Sequence, residues 1–271
     1  MFPIKDNIPC RTTPVMNYAV IVITSAAFLM QLAEPAGGPS LVEEYGMIPS
    51  RITDPSKEVT VVVEQGYVMT PLGPQLQQVT REAAPAAVPA ILTMVTCVFL
   101  HGGWMHFLGN MWFLHIFGDN VEDRLGHVGY LAFYLVGGAL ASLVHLLSEP
   151  GSTVPTIGAS GAIAAVMGAY FVWYPHAHIK AIVPIFIVLY PIVLPAAVFL
   201  GIWFLIQFFQ GAASISGTQA AGVAWWAHVG GFGAGYLIAG LLGRTHAVRE
   251  TNPARRADVD SLPSIRFRRP R

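Results

Sequence analysis

Residues 157–174 read IGASGAIAAVMGAYFVWY, and no charged side chain interrupts them. A helix needs roughly 20 predominantly apolar residues to cross a hydrocarbon core of about 30 Å. Small side chains recur at i, i+4 and i+8 in this stretch, at Ser160, Ala164 and Gly168. Such a stripe lets helix backbones approach closely in lipid. The stretch therefore predicts a packed membrane helix with a serine near its N-terminal end.

The composition of the whole chain also indicates a lipid environment. Of 271 residues, 54% are hydrophobic and 11% are charged, and the mean hydropathy is +0.56. Soluble domains average roughly 25% charged residues, so a soluble fold of this composition would expose apolar surface. The two cysteines, Cys10 and Cys97, lie far apart in the sequence and indicate neither a disulfide framework nor a CxxC metal clip. No A-x-A cleavage site follows the first apolar run, which is interpreted as a retained span.

Apolar runs predict six membrane spans, so the predicted fold class is an all-α, polytopic membrane helical bundle. The predicted spans are 15–32, 90–117, 128–147, 157–174, 193–209 and 222–242. The fifth span follows an irregular apolar lead-in, because Pro184, Pro191 and Pro195 oppose a continuous helix from residue 182 onward. The sixth span ends at Gly243, a residue type that is common just past the end of a helix.

The predicted domain organisation follows from these spans. Residues 1–14 form an N-terminal tail, 15–243 form the membrane domain with an external loop at 33–89, and 244–271 form a disordered basic tail. Within the loop, residues 59–63 are predicted as a short strand. Twelve of the 15 Lys and Arg residues fall on the side of the two termini, and positive charge accumulates on the cytoplasmic side. We therefore expect a multi-pass protein of a bacterial cell membrane with both termini in the cytoplasm.

Polar residues of three predicted spans lie at one depth. The second, fourth and sixth spans all run from outside to inside, and each has polar residues toward its outer end. These are His101, His106 and Asn110 on the second span, Ser160 on the fourth and His228 on the sixth. Polar groups inside a membrane are costly unless they are paired or face water. Their shared depth therefore predicts one interior site.

Ser160 and His228 are the predicted catalytic pair. Gly231 and Gly235 follow His228 at i+3 and i+7, so this face can pack closely against the small-residue stripe of the fourth span. Facing stripes bring hydroxyl and imidazole to hydrogen-bond distance, whereas ordinary helix packing beside a polar residue is the alternative. A serine hydroxyl needs a base, and neutral imidazole is the usual one near pH 7. The apolar stretches of spans two to six contain no Asp or Glu, so a dyad is expected instead of a triad.

Further residues suit the stabilisation of an oxyanion. Gly158 and Gly161 flank the serine and allow a substrate backbone to come close, and a helix N-terminus offers free N–H groups and positive potential. His106 and Asn110 form an i, i+4 pair that can donate hydrogen bonds, and an interhelical polar pair is their alternative role. His101 is equally compatible with a direct role and with a hydrogen bond that fixes a loop.

Competing chemistries lack their motifs in this sequence. There is no HExxH motif for a zinc protease and no Gly-rich phosphate loop. Gly118-Asp119 lacks the glycine two residues earlier that an aspartyl intramembrane protease would have. A transporter with a polar midplane site would show charged spans and an internal repeat, and neither is present. No metal site and no cofactor are therefore predicted.

Taken together, these motifs resemble those of the rhomboid intramembrane serine proteases. The resemblance covers about residues 96–243, and its matching elements are His101, HFLGN at 106–110, EDR at 122–124 in the following loop, GASG at 158–161, AH at 227–228, Gly231 and Gly235. It implies Ser160 as the nucleophile and His228 as the base. It also implies an oxyanion hole made by His106, Asn110 and the serine backbone N–H. The implied partners are the lipid bilayer and membrane-protein substrates with a transmembrane helix, without a cofactor or nucleic acid.

Two features depart from the family pattern. Many members have a tyrosine four residues after the serine, stacked under the histidine, and this chain has Ala164 there. An aromatic such as Trp225 or Trp226 is the predicted substitute. Many members also carry a Trp-Arg pair in the first external loop, and residues 33–89 contain none. The alternative function is a proteolytically inactive relative that binds or escorts membrane proteins, and the retention of both Ser160 and His228 argues against it.

Overall fold

The computed structural model describes residues 1–35, 38–70, 73–185, 188–215 and 224–243. Its helices are α1 (Val15–Leu32), α2 (Leu41–Tyr45), α3 (Pro49–Thr53), α4 (Thr93–Thr96), α5 (Trp104–Leu125), α6 (His127–Ser148), α7 (Ser160–Trp173), α8 (Ala196–Ile215) and α9 (Trp225–Leu242), with 3-10 turns at Ala90–Leu92 and Cys97–Phe99. Its strands are β1 (Phe2–Lys5), β2 (Thr60–Thr70), β3 (Gly73–Glu82), β4 (His178–Ile185) and β5 (Val188–Pro195). The predicted basic tail and residues 222–223 of the predicted sixth span lie outside the described residues.

The fold is mostly helical, and among the described residues fewer helices than predicted have the length and composition of a membrane span. Among the described residues, three helices are long and apolar enough, namely α1, α6 and Ala196–Ala213 of α8. A fourth span is reached if the bent pair Ala90–Phe99 and Trp104–Leu125 counts as one. Helix α7 has 14 residues and rises only about 21 Å at 1.5 Å per residue, short of a core of about 30 Å. Length and composition of the described residues therefore support three or four spans, and the prediction of six is not confirmed.

The predicted second span is broken in the middle. Ala90–Phe99 and α5 meet at an angle of 82°, and Gly103 precedes α5 with a φ of +150°. Such a φ is readily adopted by glycine, which explains where the helix can break. At its other end α5 runs to Leu125, so the EDR sequence lies in its last turns, and its predicted position in a loop is wrong. Gly126, with a φ of +73°, separates α5 from α6.

Strands form in two regions, so the prediction of an all-α fold is wrong there. The lead-in to the fifth span is an antiparallel β4–β5 hairpin, and β1 of the predicted N-terminal tail pairs with β4 in a sheet of order β1-β4-β5. β-Branched residues favour extended backbone, and prolines oppose a helix. In the external loop, β2 and β3 pair from Thr60↔Glu82 to Thr70↔Gly73. This hairpin includes most of the strand predicted at 59–63 and is much longer.

Carboxylates near the end of α5 hold the beginning of α1. The buried carboxylate of Glu122 accepts hydrogen bonds from the backbone N–H groups of Met16 at 2.9 Å and Asn17 at 2.6 Å. These N–H groups lie in the first turn of α1, which lacks partners of its own and favours negative charge. Asp123 accepts a further hydrogen bond from Nε of Arg11 at 3.1 Å. Glu122 and Asp123 therefore attach the beginning of α1 and the residues before it to α5.

Helix α7 lies at the centre of the core and packs backbone to backbone against α9. Every α7 residue from Gly161 to Tyr170 is buried. Gly231 and Gly235 of α9 lie directly against the carbonyl groups of Gly161 and Ala165, so a Cβ at either glycine would overlap with α7. Small residues thus bring the two helices together, as lipid-embedded helices require. The α7 side of the contact includes residues that the predicted stripe did not contain.

Candidate active site

The first residue of α7 faces a residue in the first turn of α9. Nε2 of His228 lies 2.7 Å from Oγ of Ser160, and both residues are half-buried. The two helices begin close to this point, and their glycine contacts below it keep the side chains adjacent. The structure therefore brings the two predicted catalytic residues to hydrogen-bond distance.

The loop before Ser160 is held by the segment that precedes α5. Gly158 has a φ of +126°, a conformation that side chains disfavour. Its N–H donates to the carbonyl oxygen of Cys97 at 2.9 Å. The N–H of Ala159 donates to Nε2 of His101 at 3.5 Å. His101 thus contacts the loop that carries the serine, in the loop-fixing role considered from the sequence.

Gln31 of α1 holds His101 from the other side. Its Oε1 accepts a hydrogen bond from the His101 N–H at 2.9 Å, and its Nε2 donates to the His101 carbonyl oxygen at 3.2 Å. The buried His101 ring lies edge-on to the ring of His106, with centroids 5.1 Å apart. Helix α1 therefore supports the site through the backbone of His101.

His106 directs one ring nitrogen toward the serine loop. Its Nδ1 accepts a hydrogen bond from the N–H of Gly102 at 3.4 Å. Because that N–H can only donate, the proton of the neutral ring belongs on Nε2. A Cβ on Gly158 would lie 2.8 Å from this Nε2 and 3.6 Å from Oγ of Ser160. The glycine therefore keeps a space open between the side chains of His106 and Ser160. An acceptor in this space could take a hydrogen bond from Nε2–H of His106.

The two other predicted oxyanion donors differ in their surroundings. The backbone N–H of Ser160, in the first turn of α7, donates to none of the described groups. Asn110 is buried, and its Nδ2 donates to the carbonyl oxygen of His106 at 2.9 Å. One of its two N–H donors is thus used one turn back along α5. In the described residues, Asn110 contacts the backbone of His106 and makes no hydrogen bond with the serine.

Besides Ser160, three side chains lie next to the imidazole of His228. Trp225 lies edge-on to it with ring centroids 6.0 Å apart, so one of the two predicted aromatics is in contact. Trp203 of α8 is tilted by 39° at a centroid distance of 6.0 Å. Oε1 of Gln207, also on α8, lies 2.7 Å from Nδ1 of the imidazole. Trp226 packs instead against a phenylalanine of α8.

Sequence reasoning missed Gln207, Trp203 and Gln31 as members of the site. A signal was available for Gln207, which is a polar residue in the middle of the apolar helix α8. A carboxamide inside a membrane helix is costly without a partner, so its presence indicates a buried hydrogen bond. Which face of α8 it occupies depends on how the helix is rotated in the bundle, and apolar span patterns do not encode that.

The segment at 33–89, which is predicted to be external, is attached beside the serine loop. Met47 and Thr156 exchange two backbone hydrogen bonds, at 3.1 and 2.7 Å. The buried carboxylate of Glu43 accepts from Nη1 and Nη2 of Arg81, each at 2.8 Å, and from the N–H of Ala84 at 2.7 Å. Burial acts to raise the pKa of Glu43, but these hydrogen bonds and the arginine charge outweigh it and hold the pKa below its ordinary value. The cluster ties the β2–β3 hairpin to α2.

Comparison with known proteins finds a Rhomboid domain at residues 89–245, which is more than half of the chain. Over 146 residues the chain is 32% identical to "Presenilin-associated rhomboid-like protein A, mitochondrial" of Danio rerio, covering 49% of this chain and 37% of that protein. Over 75 residues it is 43% identical to "Rhomboid-like protein 11, chloroplastic" of Arabidopsis thaliana, covering 28% of this chain and 26% of the relative. The chain thus matches well under half the length of these curated relatives.

Proposed function

The chain belongs to the rhomboid family, and on this basis we propose that it is an intramembrane serine endopeptidase that cleaves transmembrane segments of membrane proteins. Its catalytic residues are Ser160 and His228. The observation that carries the proposal is the 2.7 Å distance between Nε2 of His228 and Oγ of Ser160. The open space beside this pair, faced by Nε2 of His106, provides a position for the substrate carbonyl oxygen.

The proposed reaction proceeds through an acyl-enzyme. Oγ of Ser160 attacks the scissile carbonyl carbon while Nε2 of His228 takes the hydroxyl proton, and the carbonyl electron pair moves onto oxygen. The oxyanion accepts hydrogen bonds from the Ser160 N–H and from Nε2–H of His106. Collapse breaks the C–N bond, and His228 gives its proton to the leaving amine. Water then attacks the ester with His228 again as base, which releases the carboxylic acid and restores the serine.

The substrate must lose helical structure at the cleavage site. A helix hides its carbonyl groups in internal hydrogen bonds, so a transmembrane segment presents no reactive peptide bond until it unwinds. We propose that the segment enters from lipid beside α8. With the six predicted spans, the asymmetry of Lys and Arg supports an orientation with both termini in the cytoplasm of what we propose is a bacterial cell. The named relatives are mitochondrial and chloroplastic proteins, so labelling of single cysteines from each side of the membrane is the test of orientation.

A covalent probe tests the proposed function directly. The full chain is purified in detergent and incubated with a fluorophosphonate, which forms a bond with an activated serine. We expect labelling of the wild type and none of Ser160→Ala or His228→Ala. Cleavage of a single-span substrate in lipid vesicles should show the same dependence. A monodisperse wild-type protein that is not labelled and does not cleave, yet still binds single-span proteins, would instead be the inactive binding or escort factor.

A further inference from the structure

A carboxamide on α8 reaches the side of the imidazole that faces away from the serine. Oε1 of Gln207 lies 2.7 Å from Nδ1 of His228, whose Nε2 lies 2.7 Å from Oγ of Ser160. The Gln207 residue is only 8% exposed although it lies within an apolar helix. The three groups thus form a continuous line of hydrogen-bond contacts from α8 through α9 to α7.

The chemistry of the carboxamide oxygen determines which nitrogen carries the proton. A carbonyl oxygen can only accept, so Nδ1 must be the protonated nitrogen of the neutral ring. The lone pair then lies on Nε2, where a general base needs it to take the proton of Ser160. We propose that Gln207 is a positioning residue that sets the tautomer and the orientation of His228 for the proposed serine protease reaction, on which this inference rests.

Ring packing alone does not supply this function. Trp203 and Trp225 confine the plane of the imidazole, each at a centroid distance of 6.0 Å. A ring turned by 180° keeps nearly the same shape but exchanges its nitrogen and carbon positions, so packing discriminates weakly between the two orientations. The position four residues after the serine is Ala164, which has no group to place under the ring. A hydrogen bond to one nitrogen does discriminate, because the turned ring would leave the carboxamide oxygen without a donor.

The test separates hydrogen-bond acceptance from packing. Gln207→Met preserves side-chain length and apolar contact without an acceptor, whereas Gln207→Glu preserves an acceptor at the same position. We expect the second-order rate constant for fluorophosphonate labelling to fall about 10- to 100-fold in Gln207→Met. Gln207→Glu should keep more of the rate than Gln207→Met. Gln210→Met, one turn further along α8, is the control and should label like the wild type.

A pH profile of the labelling rate provides the second readout. The described titratable groups that act on His228 are the imidazoles of His106 on α5 and His145 on α6. All variants retain both of them. A carboxylate next to Nδ1 favours the imidazolium, so the acidic limb of the Gln207→Glu profile should move to higher pH by about one pH unit. A residue that only fills space would leave that limb unchanged.

The outcomes distinguish this inference from the proposed function. Labelling is compared only for monodisperse protein with a melting transition. The Gln207→Met variant is expected to fold, because it places an apolar side chain in an apolar helix. If the wild type labels through Ser160 and Gln207→Met labels equally fast, the positioning role is overturned and the protease remains. Faster labelling of Gln207→Met than of Gln207→Glu, or a Gln207→Glu profile identical to that of the wild type, also overturns it. A wild type that does not label overturns both proposals.

Discussion

Replacement of Gly235 by alanine tests whether the contact between α7 and α9 sets the distance between Ser160 and His228. Gly235 lies two turns below His228 on α9. A Cβ at this position would lie 2.6 Å from the carbonyl carbon and 2.7 Å from Cα of Ala165, with the carbonyl oxygen closer still. These are backbone atoms of a buried helix, so they cannot rotate away. The two helices must therefore move apart to accept the methyl group.

The size of this separation follows from the structure. Ordinary van der Waals contact of a Cβ begins at 3.4 Å, so the carbonyl carbon alone requires a gap of about 0.8 Å at the level of Gly235, and the closer carbonyl oxygen requires more. If the helices separate as rigid bodies, the distance from His228 to Ser160 rises from 2.7 Å to at least about 3.5 Å, where hydrogen bonding is weak. We expect fluorophosphonate labelling to slow by about 100-fold. The free energy of unfolding should fall by about 1–3 kcal/mol.

The matched control for this variant is Gly233→Ala on the same helix. A Cβ at Gly233 would meet no atom of the described residues within 4 Å, and alanine favours a helix over glycine by about 1 kcal/mol. Labelling rate and melting temperature are measured for both variants in one detergent. Gly233→Ala should label like the wild type and melt no lower. If Gly235→Ala labels and melts like Gly233→Ala, the backbone contact does not set the catalytic geometry and the reasoning is refuted.

Three further perturbations test other parts of the structure. Gly158→Ala should slow labelling at least about 10-fold, since its φ of +126° disfavours a side chain and the Cβ would fill the space beside His106. An unchanged labelling rate would show that catalysis does not need this space. Glu122→Gln should lower the free energy of unfolding by about 1–3 kcal/mol, because one of the two carboxylate oxygens that accept hydrogen bonds at the start of α1 is lost. The exposed Glu149→Gln is the control, and an equal loss of stability in that variant would contradict the role of Glu122. Burial raises the pKa of Asp6 from 3.8 to about 7, so its stabilising contribution is complete below its unfolded pKa and is lost as pH rises through 7. We expect the melting temperature of the wild type to fall between pH about 4 and about 8, and the fall to be smaller in Asp6→Asn. Equal falls in the two proteins would contradict a raised pKa of Asp6.

The sequence predicted the parts of the site that depend on helix direction and small residues. Ser160 and His228 lie near the N-terminal ends of their predicted spans, which run the same way, and small residues allow close packing, so their proximity could be inferred without coordinates. Gly231 and Gly235 were identified for the same reason, and the structure places both against α7. These inferences use periodicity and direction, both of which are properties of the sequence.

Apolar composition does not determine backbone conformation, and the predictions that relied on it were wrong in two segments. Residues 182–195 are apolar enough to resemble part of a span, yet their β-branched residues and prolines form the β4–β5 hairpin. The second predicted span bends by 82° beside Gly103. Two adjacent glycines permit this break, and the bend was not predicted because hydropathy is averaged over the whole segment. Gln207 was missed because its face on α8 depends on tertiary packing. For the hairpin and the bend, the competing information was local and was hidden by an average over many residues.

The site combines one contact made by backbone with another made by side chains. Backbone atoms of α7 and α9 touch at Gly235, so the packing of these two helices determines the distance between Ser160 and His228. Helix α8 reaches the same imidazole through the side chains of Gln207 and Trp203. A displacement of α8 would therefore remove the acceptor for Nδ1 while the serine and the imidazole stay adjacent. If substrates enter beside α8, as proposed, their passage acts on the tautomer of the base and leaves the nucleophile in place.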